Sequence, residues 1–167
     1  MSNSTNEKII AIDGPAGSGK STIAKALAKR LNLDYLDTGA MYRAVSFISI
    51  KRNIDTLDER EVLAIAKEMD FNFDDGICTV NGCDATKEIR GSEVTRVVSV
   101  VAAMPTVRKE NVDRQRLWVD LKCGGGVVNY NNNINTKSSN GYVTISEDLC
   151  KYKSKNYVCS CLLYTSD

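Results

Sequence analysis

Ile9-Ile10-Ala11-Ile12-Asp13-Gly14-Pro15-Ala16-Gly17-Ser18-Gly19-Lys20-Ser21-Thr22 decides the fold. The apolar run predicts a short strand from Lys8 to Asp13, of the kind buried in a parallel sheet. Behind it, Gly14 to Ser21 fits G-x-x-x-x-G-K-[ST], a phosphate-binding loop between a strand and a helix. Gly14, Gly17 and Gly19 open backbone conformations closed to other residues and leave room for phosphate to approach the amides. Lys20 is placed to reach the terminal phosphates of a nucleoside triphosphate, and the Ser21 hydroxyl to ligate Mg²⁺. The plain alternative is a glycine-rich turn with a surface lysine. The strand before and the helix after the loop argue against it.

Outward from the loop, Ala24, Leu27, Ala28 and Leu31 give a helix with an apolar face, and Asn32 is a left-handed stop. A second short strand around Tyr35-Leu36 completes a βαβ unit on a parallel sheet. A helix from Ala40 to Lys51 follows, with Met41, Ala44, Val45 and Ile48 inward. Thr56-Leu57-Asp58-Glu59 reads as a capping box opening a third helix, whose buried stripe is Val62, Ile65, Ala66 and Met69. The period then changes. Phe71 to Phe73 and Ile77 to Val80 read as strands, with an Asn81-Gly82 type I′ turn signal into a return strand. This small antiparallel insert, about 71–90, belongs to a substrate-side subdomain. Val94, Val97, Val98 and Val101 are β-branched but helically spaced, so Ser92 to Ala102 is read as a helix capped by Ser92. Pro105 opens another, running to Lys122 with Trp118 and Leu121 on one side.

Composition narrows the chemistry. The 167 residues carry a net charge of +1, so no strong field draws nucleic acid or an anionic membrane. No apolar run approaches the roughly 20 residues of a membrane span, and Met1 to Glu7 lacks the apolar core of a signal peptide. A cytoplasmic protein is expected. The six cysteines show no C-x₂-C pairing and read as free thiols, and the lack of any histidine excludes Ser-His or Cys-His catalysis within this chain.

Asp37-Thr38-Gly39-Ala40-Met41-Tyr42-Arg43, just past the second strand, narrows the reading further. Together with Ile12 to Thr22 it resembles the I-D-G-P-x-G-x-G-K-[SGT]-T and D-[ST]-G-x-x-Y-R motifs of bacterial cytidylate kinases, P-loop nucleoside monophosphate kinases. Gly82, Glu88-Ile89-Arg90, Ser99, Pro105 to Arg108 and Arg114-Gln115-Arg116 extend the resemblance over about residues 8–122. It implies an α/β fold: a parallel P-loop sheet flanked by helices, with the small antiparallel insert. It implies transfer of the γ-phosphoryl group of ATP, with Mg²⁺, to CMP or dCMP; the chain, if folded, is expected to be a monomer. By the family match Gly14 to Thr22 bind ATP, Lys20 and Arg43 are catalytic, and Arg43 holds the acceptor monophosphate. Asp37 faces the crevice and holds a Mg²⁺-bound water, or else caps the next helix; Thr38 bonds acceptor phosphate or base, or caps that helix. Ser99 and Arg108 match the cytosine-reading positions, though alone they would read as helix-surface groups. Arg114 and Arg116 are left as a solvated face.

The resemblance stops beyond Gly125-Gly126-Val127-Val128, where the family continues with E-G-R-D-I-G-T, further strands and an arginine-bearing lid. Residues 129–140 are asparagine-rich and read as loop. Accordingly 1–123 is expected to be the N-terminal part of a kinase domain, and 124–167 an atypical tail of a truncated or frame-shifted member. Rival readings are another small-molecule P-loop kinase, a GTPase, disfavoured by the lack of an N-K-x-D-like motif, and a nucleotide-binding but inactive fragment.

Overall fold

Short strands from residues 9–12, 34–37 and 126–129 meet in one parallel sheet. The computed structural model describes residues 9–12, 19–74, 76–121 and 126–129. In chain order these form β1 (Ile9–Ile12), α1 (Lys20–Leu31), β2 (Asp34–Asp37), α2 (Thr38–Lys51) and α3 (Glu59–Glu68). There follow β3 (Phe71–Asp74), β4 (Ile77–Val80), β5 (Cys83–Asp84), a 3-10 turn at Glu88–Arg90, α4 (Ser92–Ala103), α5 (Pro105–Leu121) and β6 (Gly126–Asn129). The chain divides into two units, Gly39–Gln115 and the two flanking segments together.

In the flanking unit the strand order is β1-β6-β2, all parallel. The βαβ reading is right in direction, but β1 and β2 are not neighbours: β6 lies between them. No strand was expected at Gly126–Asn129. Val127 and Val128 are fully buried there, as a central strand covered on both faces requires. Ile12, Asn129 and Asp37 share one level across the sheet, so β1, β6 and β2 end at the same edge. Ala24 and Ala28 of α1 pack with Ile12 and Val127, flanked by Ile10, Ile23, Leu27, Leu33 and Tyr35. Leu31, expected in that face, is exposed because the helix ends there: Asn32 turns left-handed at φ 52° and Leu33 N–H closes on the Ala28 carbonyl.

In the unit Gly39–Gln115, the helical stripes behave as their spacing predicts. Met41, Ala44, Val45 and Ile48 of α2 are buried, as are Val62, Ile65 and Ala66 of α3 with Met69 just beyond. Ser46 and Ser49 are buried too, satisfied by donating to the Tyr42 and Val45 carbonyls one turn back. The second sheet runs β3-β4-β5, antiparallel, and pairs Phe71 with Val80 and Phe73 with Cys78. Asn81 and Gly82, at φ 51° and 76°, make the turn, and the Asn81 side chain accepts from Asp70 N–H.

Two helix starts differ from the sequence reading. At α3 the cap is Asp58, whose carboxylate accepts from Arg60 and Glu61 N–H, rather than Thr56. Glu59 does not reach back as a capping box would; it accepts from the backbone N–H and hydroxyl of Thr106, at the start of α5. A carboxylate of one helix thus caps another. At α4 the cap is Gly91, whose carbonyl accepts from Thr95 N–H, and Ser92 is the first helical residue.

On α5 the buried positions are Val107, Asn111 and Gln115, while Leu121, expected on the apolar side, is 78% exposed at the last turn. Cys78 is buried and Cys83 exposed, both as thiols; Cys123, Cys150, Cys159 and Cys161 lie outside the described residues. Among the described residues no helix is long and apolar enough to cross a membrane.

Candidate functional site

The residues whose motif predicts phosphate binding belong to the flanking segments of the chain. Gly14, Pro15, Ala16, Gly17 and Ser18 are outside the described residues. Gly19 has φ 80°, a conformation that turns the chain into α1 and that side chains disfavour. Lys20 opens the helix with only 7% of its surface exposed, and Ser21 and Thr22 beside it are exposed. No acidic residue stands in the first turn of α1, and its cap residue, Gly19, has no side chain with which to cap it. Its leading N–H groups and positive dipole end therefore favour an anion.

Asp37 ends β2, largely buried, and Thr38 opens α2 almost fully buried. The Ser21 hydroxyl and Asp37 carboxylate are hard oxygen donors, the set that Mg²⁺ takes alongside waters and phosphate oxygens.

The remaining candidates lie in the unit Gly39–Gln115, and α4 gathers them. Half-buried Arg43, on α2, donates from Nη1 to the Ile89 carbonyl at 3.3 Å and to the Thr95 hydroxyl at 3.1 Å. Arg108, on α5, donates from Nη1 to the Ala102 carbonyl at 3.1 Å. Arg43 is therefore tied to the first turn of α4 and Arg108 to its last turn. Ser99 lies between these ties, one turn beyond Thr95 and exposed. An arginine at each end of a helix with a hydroxyl between them can hold an anionic group at one end and a polar ring at the other.

Sequence reasoning missed several of these partners. Arg114 is no solvated group: its guanidinium donates to the Met69 and Lys67 carbonyls, each at 2.7 Å, and to Glu110 at 3.1 Å. It closes the C-terminal end of α3, where carbonyls lack helical partners. Arg116 is half-buried rather than solvated. Asn111 and Gln115 are buried, and none of their four side-chain amide atoms has a hydrogen-bond partner among the described residues. Their spacing from Arg108, three and seven residues on, marks a polar stripe along α5 that was visible in the sequence.

A family model for cytidylate kinase matches residues 10–138, taking in every described candidate and β6. The chain belongs to the cytidylate kinase family. Its relatives agree. The cytidylate kinase of Geobacillus sp. (strain WCH70) is 46% identical over 123 residues, 71% of this chain and 54% of that protein. That of Clostridioides difficile (strain 630) is 49% identical over 108 residues, 65% of this chain and 50% of the relative. A bifunctional pantoate ligase/cytidylate kinase of Prochlorococcus marinus (strain MIT 9215) is 45% identical over 133 residues, 77% of this chain and 26% of the relative. The chain spans about half the length of the single-function cytidylate kinases it matches.

Proposed function

We propose that this chain binds ATP and a cytidine monophosphate and transfers the γ-phosphoryl group of ATP to CMP or dCMP. The observation that carries the reading is the tie of Arg43 and Arg108 to opposite ends of α4, with Ser99 between. The acceptor phosphate oxygen attacks the γ-phosphorus; its new P–O bond forms as the bond to the β-phosphate oxygen breaks, and ADP leaves. No protein nucleophile is needed, so catalysis is positioning plus charge neutralisation.

Gly14 to Thr22 cradle the donor phosphates, and Lys20 adds a positive charge beside the group in transit. Mg²⁺, when bound, neutralises the phosphate oxygens; Ser21 would ligate it directly and Asp37 through a water. Arg43 grips the acceptor phosphate with a guanidinium fork, which suits two oxygens better than an ammonium does. Thr38 bonds the same phosphate or the base. At the base, Ser99 accepts from the exocyclic amine while Arg108 donates to O2 and N3.

A coupled kinase assay across CMP, dCMP, UMP and AMP, run beside calorimetric titrations of each nucleotide, tests this. Turnover fastest on UMP or AMP overturns the cytidine assignment. Binding of both nucleotides without turnover leaves a nucleotide-binding protein rather than an enzyme.

A further inference from the structure

Arg43 is held on one edge only. Both of its hydrogen bonds, to the Ile89 carbonyl and to the Thr95 hydroxyl, start from Nη1. Nε and Nη2 make no bond among the described residues. A guanidinium pinned at Nη1 still offers Nε–H and Nη2–H as a parallel pair, the edge that meets two oxygens of a phosphate.

We infer that Thr95 is a positioning residue for the acceptor phosphate: with the Ile89 carbonyl it fixes the Arg43 guanidinium so that the Nε/Nη2 edge is presented before the nucleotide arrives. This rests on the reading of Arg43 as the monophosphate-binding arginine. Three features support the assignment. Among the described residues Thr95 is the one side chain that Arg43 hydrogen-bonds, because the Ile89 bond is to main chain. The Thr95 hydroxyl lies one turn, about 6 Å along the axis, before Ser99. One helix therefore sets both the phosphate end, through Arg43, and the base end, through Ser99, of a single bound nucleotide. Finally, Arg43 carries no carboxylate partner, so a phosphate does not compete with an internal ion pair for it.

Ordering a long side chain costs about 0.5–1.5 kcal/mol at the moment of binding, and a prior hydrogen bond removes part of that cost. Losing the Thr95 hydroxyl should then weaken monophosphate binding roughly three- to tenfold. Thr95 is exposed, and valine keeps its shape and a similar helix propensity, so Thr95→Val should fold.

The test titrates CMP, cytidine and ATP into the full chain and its Thr95→Val, Thr95→Ser and Arg43→Ala variants by calorimetry. In Thr95→Val, CMP affinity should fall while cytidine and ATP affinities stay at wild-type values, because only the phosphate contact runs through Arg43. Thr95→Ser, which keeps the hydroxyl, should restore CMP binding. Equal weakening of CMP and cytidine in Thr95→Val would overturn the inference, since it would mean that α4 and Ser99 had shifted. Unchanged CMP affinity in Thr95→Val, beside a loss in Arg43→Ala, would also overturn it while leaving the role of Arg43 intact. Unchanged CMP affinity in Arg43→Ala would sink the reading of Arg43 itself, and the role of Thr95 with it. A measurement without ligand guards against a misfolded variant. Rotation about the Arg43 Nε–Cζ bond, followed by NMR of the guanidinium, should be slow in wild type and faster in Thr95→Val; equal rates would count against the pinning.

Discussion

A Cβ on Gly126 would stand 2.7 Å from Cζ3 and 2.9 Å from Cη2 of Trp118, so the indole ring fills the space a side chain would need. The tryptophan on α5 thus packs directly on the backbone of the central strand. Any side chain at 126 must push the ring or the strand aside. Gly126→Ala is expected to destabilise the protein by about 1–3 kcal/mol, the usual cost of overpacking. Urea unfolding followed by Trp118 fluorescence measures it. A stability equal to wild type would show that the ring can swing away freely.

Arg114→Ala should cost about 2 kcal/mol, because it strips three hydrogen bonds from a charged donor and leaves the Lys67 and Met69 carbonyls without it. Arg114→Lys should recover only part of this, since an ammonium cannot reproduce the fork. Denaturation midpoints of the two variants provide the check, and wild-type stability in Arg114→Lys would show that the planar geometry is irrelevant.

The elements that were legible from sequence are those fixed by local pattern. The stripes 41/44/45/48 and 62/65/66/69, the Asn32 stop and the Asn81-Gly82 turn each need only neighbouring residues to specify them. What escaped depends on distant partners. Glu59 meets Thr106 across 47 positions, Arg114 meets Met69 across 45, and Arg43 meets Thr95 across 52. No periodicity reports such pairings, so Glu59 was read as a local cap and Arg114 as a solvated group. The same limit hid β6, four residues with too little length to show a period. The site residues came from motif resemblance, and Arg108 and Ser99 would otherwise have passed as surface groups.

The Glu59 carboxyl should titrate below its ordinary value, held down first by the Thr106 backbone N–H and then by the Thr106 hydroxyl. A carboxyl whose folded value is depressed contributes stability above its unfolded value and loses it as pH falls through the folded one. Thr106→Ala should move the titration upward without fully restoring it, because the backbone donor remains. Carboxyl-carbon NMR across the acidic range reads the midpoint directly; an unmoved Glu59 midpoint would exclude the hydroxyl's part.

The buried amides of α5 allow a stabilising change. Among the described residues neither Oδ1 nor Nδ2 of buried Asn111 has a hydrogen-bond partner, and a buried amide without partners is costly. Asn111→Leu, of similar shape, should raise stability by about 1–2 kcal/mol. Thermal unfolding tests it, and a lowered midpoint would indicate that the amide has a polar partner in the working protein.

Lys20→Ala should reduce ATP affinity by at least roughly tenfold, as the loss of a charge-assisted phosphate contact implies, with a far smaller effect on stability. Calorimetry and thermal unfolding on the same sample separate the two effects. Unchanged ATP affinity would refute the role given to the loop.

Among the described residues β1 and β2 pair only with β6, so neither strand has a hydrogen-bonding neighbour until Gly126–Asn129 has been synthesised. Gly39–Gln115 is continuous and carries its own antiparallel sheet. During translation this middle stretch can complete its folding while the first strand waits as an open, apolar edge. Such long-range closure is slow, and the waiting edge is exposed to aggregation. In pulse-labelled refolding, amides of β3 and β4 should gain protection from exchange before those of β1 and β2.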